Sequence, residues 1–189
     1  GNADNLTIIN ASRVTIEGDI GGNDLNDLSI TVGSSSGITV VNEIPSASFA
    51  TTAITIQGQN NDKVDISVDG KISLTAEDKD TRIGISPFNF ASRQVSIGIE
   101  NATLNATEIG VNANAEDKTV GDQVPSWVNK LGVQPAVQVP SYLIGSLTIP
   151  AAVQMRGSDA DVTVNNSTIT ASGNVDITST ATVNSSVNA

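Results

Sequence analysis

The chain has no cysteine and no histidine. That removes disulfides, thiolate metal sites, imidazole ligands and histidine-based acid–base catalysis. Aromatic side chains are scarce, limited to Trp127, Tyr142, Phe49, Phe88 and Phe90 in 189 residues. A wide sandwich or barrel interior normally needs several large rings, whereas Val, Ile, Leu and Ala suffice for a narrow one, so a thin core is expected. Positive charge is also short: 9 Lys and Arg stand against 20 Asp and Glu, a formal charge of −11. On Coulomb grounds this disfavours nucleic acid or an anionic lipid surface as a partner and makes cations the natural guests. No stretch approaches the roughly 20 apolar residues a helix needs to span a bilayer, so no membrane insertion is expected. There is neither an initiator Met nor a charged-then-apolar leader, and both termini read as internal to a longer polypeptide.

What the chain does have is period-two alternation at high density. Leu6-Thr-Ile8, Val14-Thr-Ile16, Leu28-Ser-Ile-Thr-Val32, Ile54-Thr-Ile56, Val64-Asp-Ile-Ser-Val68 and Ile72-Ser-Leu74 set the pattern. It continues through Val95-Ser-Ile-Gly-Ile99, Ile109-Gly-Val111, Val162-Thr-Val164 and Val175-Asp-Ile177. β-Branched residues alternating with small polar ones in short runs predict half-buried strands, and helical periodicity is almost absent.

An internal repeat favours one all-β arrangement. Asn101-Ala-Thr-Leu-Asn-Ala, followed by Ile109-Gly-Val111, aligns with Asn166-Ser-Thr-Ile-Thr-Ala, followed by Val175-Asp-Ile177, if the second copy carries one extra residue near Gly173. A second echo links Ala76-Glu-Asp-Lys79 to Ala115-Glu-Asp-Lys118. One repeat cannot bury its own apolar face, but stacking the next about 4.8 Å away pairs the backbone and closes a core. The expected fold is therefore a single right-handed parallel β-helix, or solenoid, over residues 1–189. Coils of about 20–25 residues would give on the order of six or seven turns from the part of the chain outside its insertion, with Asn, Ser, Thr and Gly at the corners.

Residues 118–157 break the pattern. They hold Trp127, Tyr142, Met155 and four prolines, Pro125, Pro135, Pro140 and Pro150. This segment reads as an excursion packed on the solenoid, with a short helix expected over 124–132. Smaller excursions are expected at 44–52 and 86–92.

The candidate sites are acidic. Asp24 and Asp27 lie in Gly21-Gly-Asn-Asp-Leu-Asn-Asp-Leu28, and Glu77, Asp78 and Asp80 form a tight group. Hard divalent cations take six to eight oxygens from carboxylates, carbonyls and Asn, so these five residues are the candidate calcium ligands. The first stretch resembles the Gly-Gly-x-Gly-x-Asp-x-apolar calcium repeat of secreted toxins and adhesins but departs from it, with Asp24 in place of the second Gly and Asn26 in place of Asp. The competing reading is a solvated acidic surface that keeps β-rich edges from pairing sideways.

The run Val95-Ser-Ile-Gly-Ile-Glu-Asn-Ala-Thr-Leu-Asn-Ala and its partner Val162-Thr-Val-Asn-Asn-Ser-Thr-Ile-Thr-Ala-Ser-Gly-Asn-Val-Asp-Ile-Thr resemble repeats of very large bacterial secreted or surface proteins. Those are adhesin-like, haemagglutinin-like giant chains with β-helical stalks. The resemblance leaves out the Pro-rich excursion. It implies a secreted or cell-surface structural module, without enzymatic activity, that spaces and presents adhesive surfaces and self-associates into fibres. Its partners would be neighbouring coils of the parent, other copies, or cell-surface glycans or proteins. The alternative is a polysaccharide-active β-helix enzyme, a lyase or glycoside hydrolase, using an Asp/Glu pair.

Overall fold

Alternation of β-branched and small polar residues puts one face of each strand in the interior and the other in water. The computed structural model describes residues 4–21, 25–41, 46–59, 62–84, 88–119, 143–144, 147–148 and 153–185, and the described residues contain strands and no helix. The first pass of the chain consists of β1 (Asp4–Asn10), β2 (Arg13–Ile16) and β3 (Ile20–Gly21). The second is β4 (Leu25–Val41), β5 (Ser46–Gln57) and β6 (Val64–Ser67), and the third is β7 (Lys71–Gly84), β8 (Phe88–Glu100) and β9 (Ala102–Ala106). β10 (Glu108–Thr119), β13 (Val153–Asn165) and β14 (Thr168–Ala171) form the fourth, and β15 (Val175–Ser185) opens a fifth.

Each of the first four passes visits three sheets in the same order, and the fifth enters the first of them. The first sheet runs β1-β4-β7-β10-β15, the second β2-β5-β8-β13 and the third β3-β6-β9-β14. Every neighbouring pair in these sheets is parallel. Leu6, Leu28, Ile72, Ile109 and Val175 stack in one register column, and Ile8, Ile30, Leu74, Val111 and Ile177 in the next. Only the first step between passes is near the twenty or so residues expected. Later passes are longer because strands of the first two sheets extend to a dozen residues or more, and where six or seven turns were expected the described residues hold four passes and the start of a fifth.

Both expected minor excursions are corrected in part. Residues 46–52 lie in β5 and 88–92 in β8, in continuous parallel register with each other; residues 42–45 and 85–87 lie outside the described residues. Of the larger excursion, 118–119 complete β10 and 153–157 begin β13, the latter paired with Phe88–Ser92. β11 (Leu143–Ile144) and β12 (Leu147–Thr148) form a small antiparallel pair. The helix expected over 124–132 lies outside the described residues.

The three sheets share one core. Leu28, Ile30, Ile72, Leu74, Ile109 and Val111 meet Ile54, Ile56, Ile97 and Ile99 of the second sheet and Ile66 and Leu104 of the third. No aromatic ring is among these buried residues, and Phe49 is 72% exposed, as a narrow aliphatic interior requires. The repeat found in the sequence is the register of the fold: Thr103, Leu104 and Ala106 pair with Thr168, Ile169 and Ala171, then Ile109 pairs with Val175. The extra residue sits in the turn at 172–174, where Gly173 N–H donates to Thr107 O (2.8 Å) and Ile109 N–H to Asn174 O (3.0 Å). The Ala-Glu-Asp-Lys echo is offset by two residues, since Ala76 pairs with Ala113 and Asp80 with Asp117. A shift of two preserves which side chains face inward.

Corners are made by small polar side chains. Asn101 and Asn166 both take positive φ, 48° and 46°, a left-handed conformation Asn tolerates. They stack, with Asn166 Nδ2 donating to Asn101 Oδ1 at 2.5 Å, the beginning of an asparagine ladder. Gly33, at φ 111°, precedes a one-residue bulge where Ser35 and Ile38 face Lys79 and Thr81. A Cβ there would meet the Glu77 carbonyl oxygen at 1.8 Å, whereas at Gly98 it would meet nothing within 4 Å. Gly33→Ala is therefore expected to cost more than about 2 kcal/mol in urea denaturation, and Gly98→Ala to be neutral or stabilising by about 0.5 kcal/mol. Equal effects at the two sites would contradict the backbone conformation described.

Candidate functional site: a buried ion cluster

The inward parity of the first sheet does not stop with its aliphatic residues. Along β7 it runs Ile72, Leu74, Ala76, Asp78, Asp80, and along β10 it runs Ile109, Val111, Ala113, Ala115, Asp117, all buried. On β8 the run Ile99, Ile97, Val95 is preceded at the same parity by Arg93, and on β5 Ile56 and Ile54 are preceded by Thr52. The continued alternation thus carries three carboxylates, a guanidinium and a hydroxyl into the interior where the first two sheets meet.

Their geometry is that of an ion cluster. Arg93 Nη2 donates to Asp80 Oδ2 and to Ser48 Oγ (2.7 Å). Arg93 Nη1 lies 3.7 Å from Asp78 Oδ1, and Thr52 Oγ1 donates to Asp78 Oδ2 at 3.3 Å. Asp117 stacks on Asp80 in the adjacent strand. Arg93 is 6% exposed and Asp117 0%, so water screens little of this electrostatics. Desolvation pushes the Asp78 carboxyl above the usual carboxylate range; Arg93 and the Thr52 hydroxyl oppose that, and the charges of Asp80 and Asp117 reinforce it.

The expected calcium ligands are scattered by the same alternation. Glu77 points outward and pairs with Lys79 at 2.8 Å, on the opposite face from Asp78 and Asp80. Arg93 is a cation beside both Asp78 and Asp80. Asp27 caps a corner: its Oδ1 accepts the N–H of Lys71 at 2.8 Å, and Asp19 does the same for the N–H of Asp65 at 2.8 Å. Asp24 lies outside the described residues. Among the described residues no group of three or more acidic side chains is arranged to hold a metal ion. A separate depression of about 660 Å³, lined by Glu17, Gly18, Asp19, Gln59, Asp62, Lys63 and Val64, opens where the second and third sheets meet.

Arg93, Thr52 and Asp117 as buried residues were missed in the sequence, although a signal exists. Each stands at the inward position two residues beyond an alternating aliphatic run. Reading those runs as ending at their last aliphatic residue hid the polar continuation.

Removing Arg93 would take the guanidinium away from Asp78 and Asp80 in a dry interior. Arg93→Met is expected to lower stability by about 3–5 kcal/mol at neutral pH, whereas Glu77→Gln, which breaks a half-buried pair on the outer face, is expected to stay within about 1 kcal/mol of wild type. Chemical denaturation of the two variants measures both. An Arg93→Met protein as stable as wild type would show that the guanidinium does not neutralise the cluster.

No family model, curated protein or solved structure matches this chain, so its function is argued from the geometry.

Proposed function

We propose that the three parallel sheets are the faces of a right-handed β-helix, and that the chain is a structural stalk or filament module of an extracellular bacterial protein. The observation that carries this reading is the parallel register of four passes that each enter the three sheets in the same order, with the start of a fifth in the first sheet. Right-handed crossover is the rule for parallel strands joined within a sheet. An architecture that repeats along one axis adds length in increments of about 4.8 Å per pass, which is what a spacer needs.

Two further features support a structural role over a catalytic one. Asp78 and Asp80, which meet Arg93, do so inside the core, where a polysaccharide cannot reach them. The outer strands of the first sheet expose aliphatic side chains belonging to columns that are buried elsewhere: Val175 and Ile177 are 48% and 43% exposed, while Ile109 and Val111 above them are buried. Such edges suit stacking against further coils, of the parent chain or of another copy. Placement outside the cell rests on the repeat resemblance.

Electron microscopy of the parent protein is expected to show a rod of constant width containing this segment, and antibodies raised against the chain are expected to label intact cells. A compact particle, or labelling only after lysis, would count against the stalk. Release of reducing or unsaturated ends from an acidic polysaccharide by the purified chain would revive the enzymatic alternative.

A further inference from the structure

The second pass is longer than the first, and this leaves a step at one end of the second sheet. β2 pairs with β5 only from Ala53 to Ile56, and Ser12 O accepts the N–H of Ala53. From Ser46 to Thr52, β5 pairs with β8 on one side, and among the described residues no strand pairs with its other side. The step is one strand deep, about 4.8 Å. Open strand edges in native proteins normally carry a charge, a proline or a bulge that keeps another strand from adding. Ser46-Ala-Ser-Phe-Ala-Thr-Thr52 has no charged residue and no proline, and its register with β8 has no irregularity. The adjoining edge of β4, from Gly33 to Val41, is uncharged as well, although its bulge bends it. At the opposite end of the second sheet the outermost strand, β13, carries Arg156, Asp159 and Asp161. In the middle of the open stretch stands Phe49, 72% exposed. Its register partners on the next two strands are Ser92 and Gly157, so no large side chain of those strands covers the ring.

We propose that the open edge of β5 at Ser46–Thr52 is a docking surface for a second copy of this chain, which adds its own Ser46–Thr52 as an antiparallel strand about a twofold axis. Charge selects this occupant. Two chains of formal charge −11 repel each other, and at this step they meet without setting acidic side chains against one another. An uncharged stretch is also its own complement, as a twofold contact requires. An axis through Phe49 sets Ser46 opposite Thr52 of the second copy and ring against ring at the centre, where aromatic pairs gain more than their buried area alone. Arg13, in register with Ala53, lies at the end of the step and outside the paired stretch. The added strand fills the layer that the short β2 leaves empty and satisfies backbone groups of β5 that the sheet does not pair. This contact joins two modules head to head and goes beyond the stalk reading, on which it does not depend.

Sedimentation of the purified chain over a range of concentrations tests the contact. Wild type is expected to pass from monomer to dimer as concentration rises. Phe49→Asp and Phe49→Lys, which each set like charges face to face across the axis, are expected to dimerise about tenfold or more weakly. An equal mixture of the two variants sets opposite charges together and is expected to recover the dimer, whereas Asp176→Lys, on β15 at the far end of the first sheet, leaves dimerisation as in wild type. A wild-type chain that stays monomeric would overturn the pairing. So would association that survives both Phe49 substitutions, or a mixture that behaves like its separate components. Should the Phe49 variants fail to fold, amide exchange in wild type decides: residues 46–52 are expected to exchange about tenfold more slowly in the dimer than in the monomer, with residues 102–106 unchanged. Exchange at 46–52 that does not depend on concentration would then sink the proposal.

Discussion

Parallel backbone pairing between successive passes is the constraint on which the rest of this molecule depends. Once Leu28 is in register with Ile72, every residue of β4 up to the bulge has an assigned neighbour on β7, and the same holds down the sheet to Val175. Because side chains alternate with period two, that register also decides which residues are dry. The interior is a set of columns, each made of one residue per pass. A column accepts whatever the parity delivers, aliphatic for most of its length and ionic at the corner between the first and second sheets.

That corner shows how the fold handles polar residues at inward positions. Asp78, Asp80 and Asp117 enter from two adjacent strands of one sheet, and Arg93 crosses from the next sheet to meet them. The cluster therefore ties two sheets together by contacts that run across the interior, where backbone pairing runs only along it. A slip of one residue in β7 or β8 would turn these charges out and expose the aliphatic columns with them. Outside the core, acidic side chains do different work. Asp19 and Asp27 accept backbone N–H groups of the following pass at turns, satisfying donors the sheets leave over.

Much of this was legible beforehand. The alignment of 101–111 with 166–177, including the additional residue near Gly173, is the observed pairing of β9 with β14 and β10 with β15. It was legible because stacking demands that equivalent positions carry equivalent side chains. The scarcity of aromatics correctly pointed to a narrow core. The strands, however, are longer than their alternating aliphatic cores, so β5, β7, β8 and β10 absorb residues read as loops or acidic turns. Glu77, Asp78 and Asp80 look like one cluster along the chain, and alternation divides them between two faces.

The sequence alone determined the class of the fold and its parity, since both follow from local spacing of β-branched and polar residues and from the repetition of that spacing. The partner of Arg93 was decided only by the tertiary structure. It lies 13 residues from Asp80, across a turn from one sheet to the next. Which inward residues meet there depends on how far each strand runs before the chain turns, and the length of a strand is set by the neighbour it pairs with. A pattern read along one strand carries no record of that neighbour.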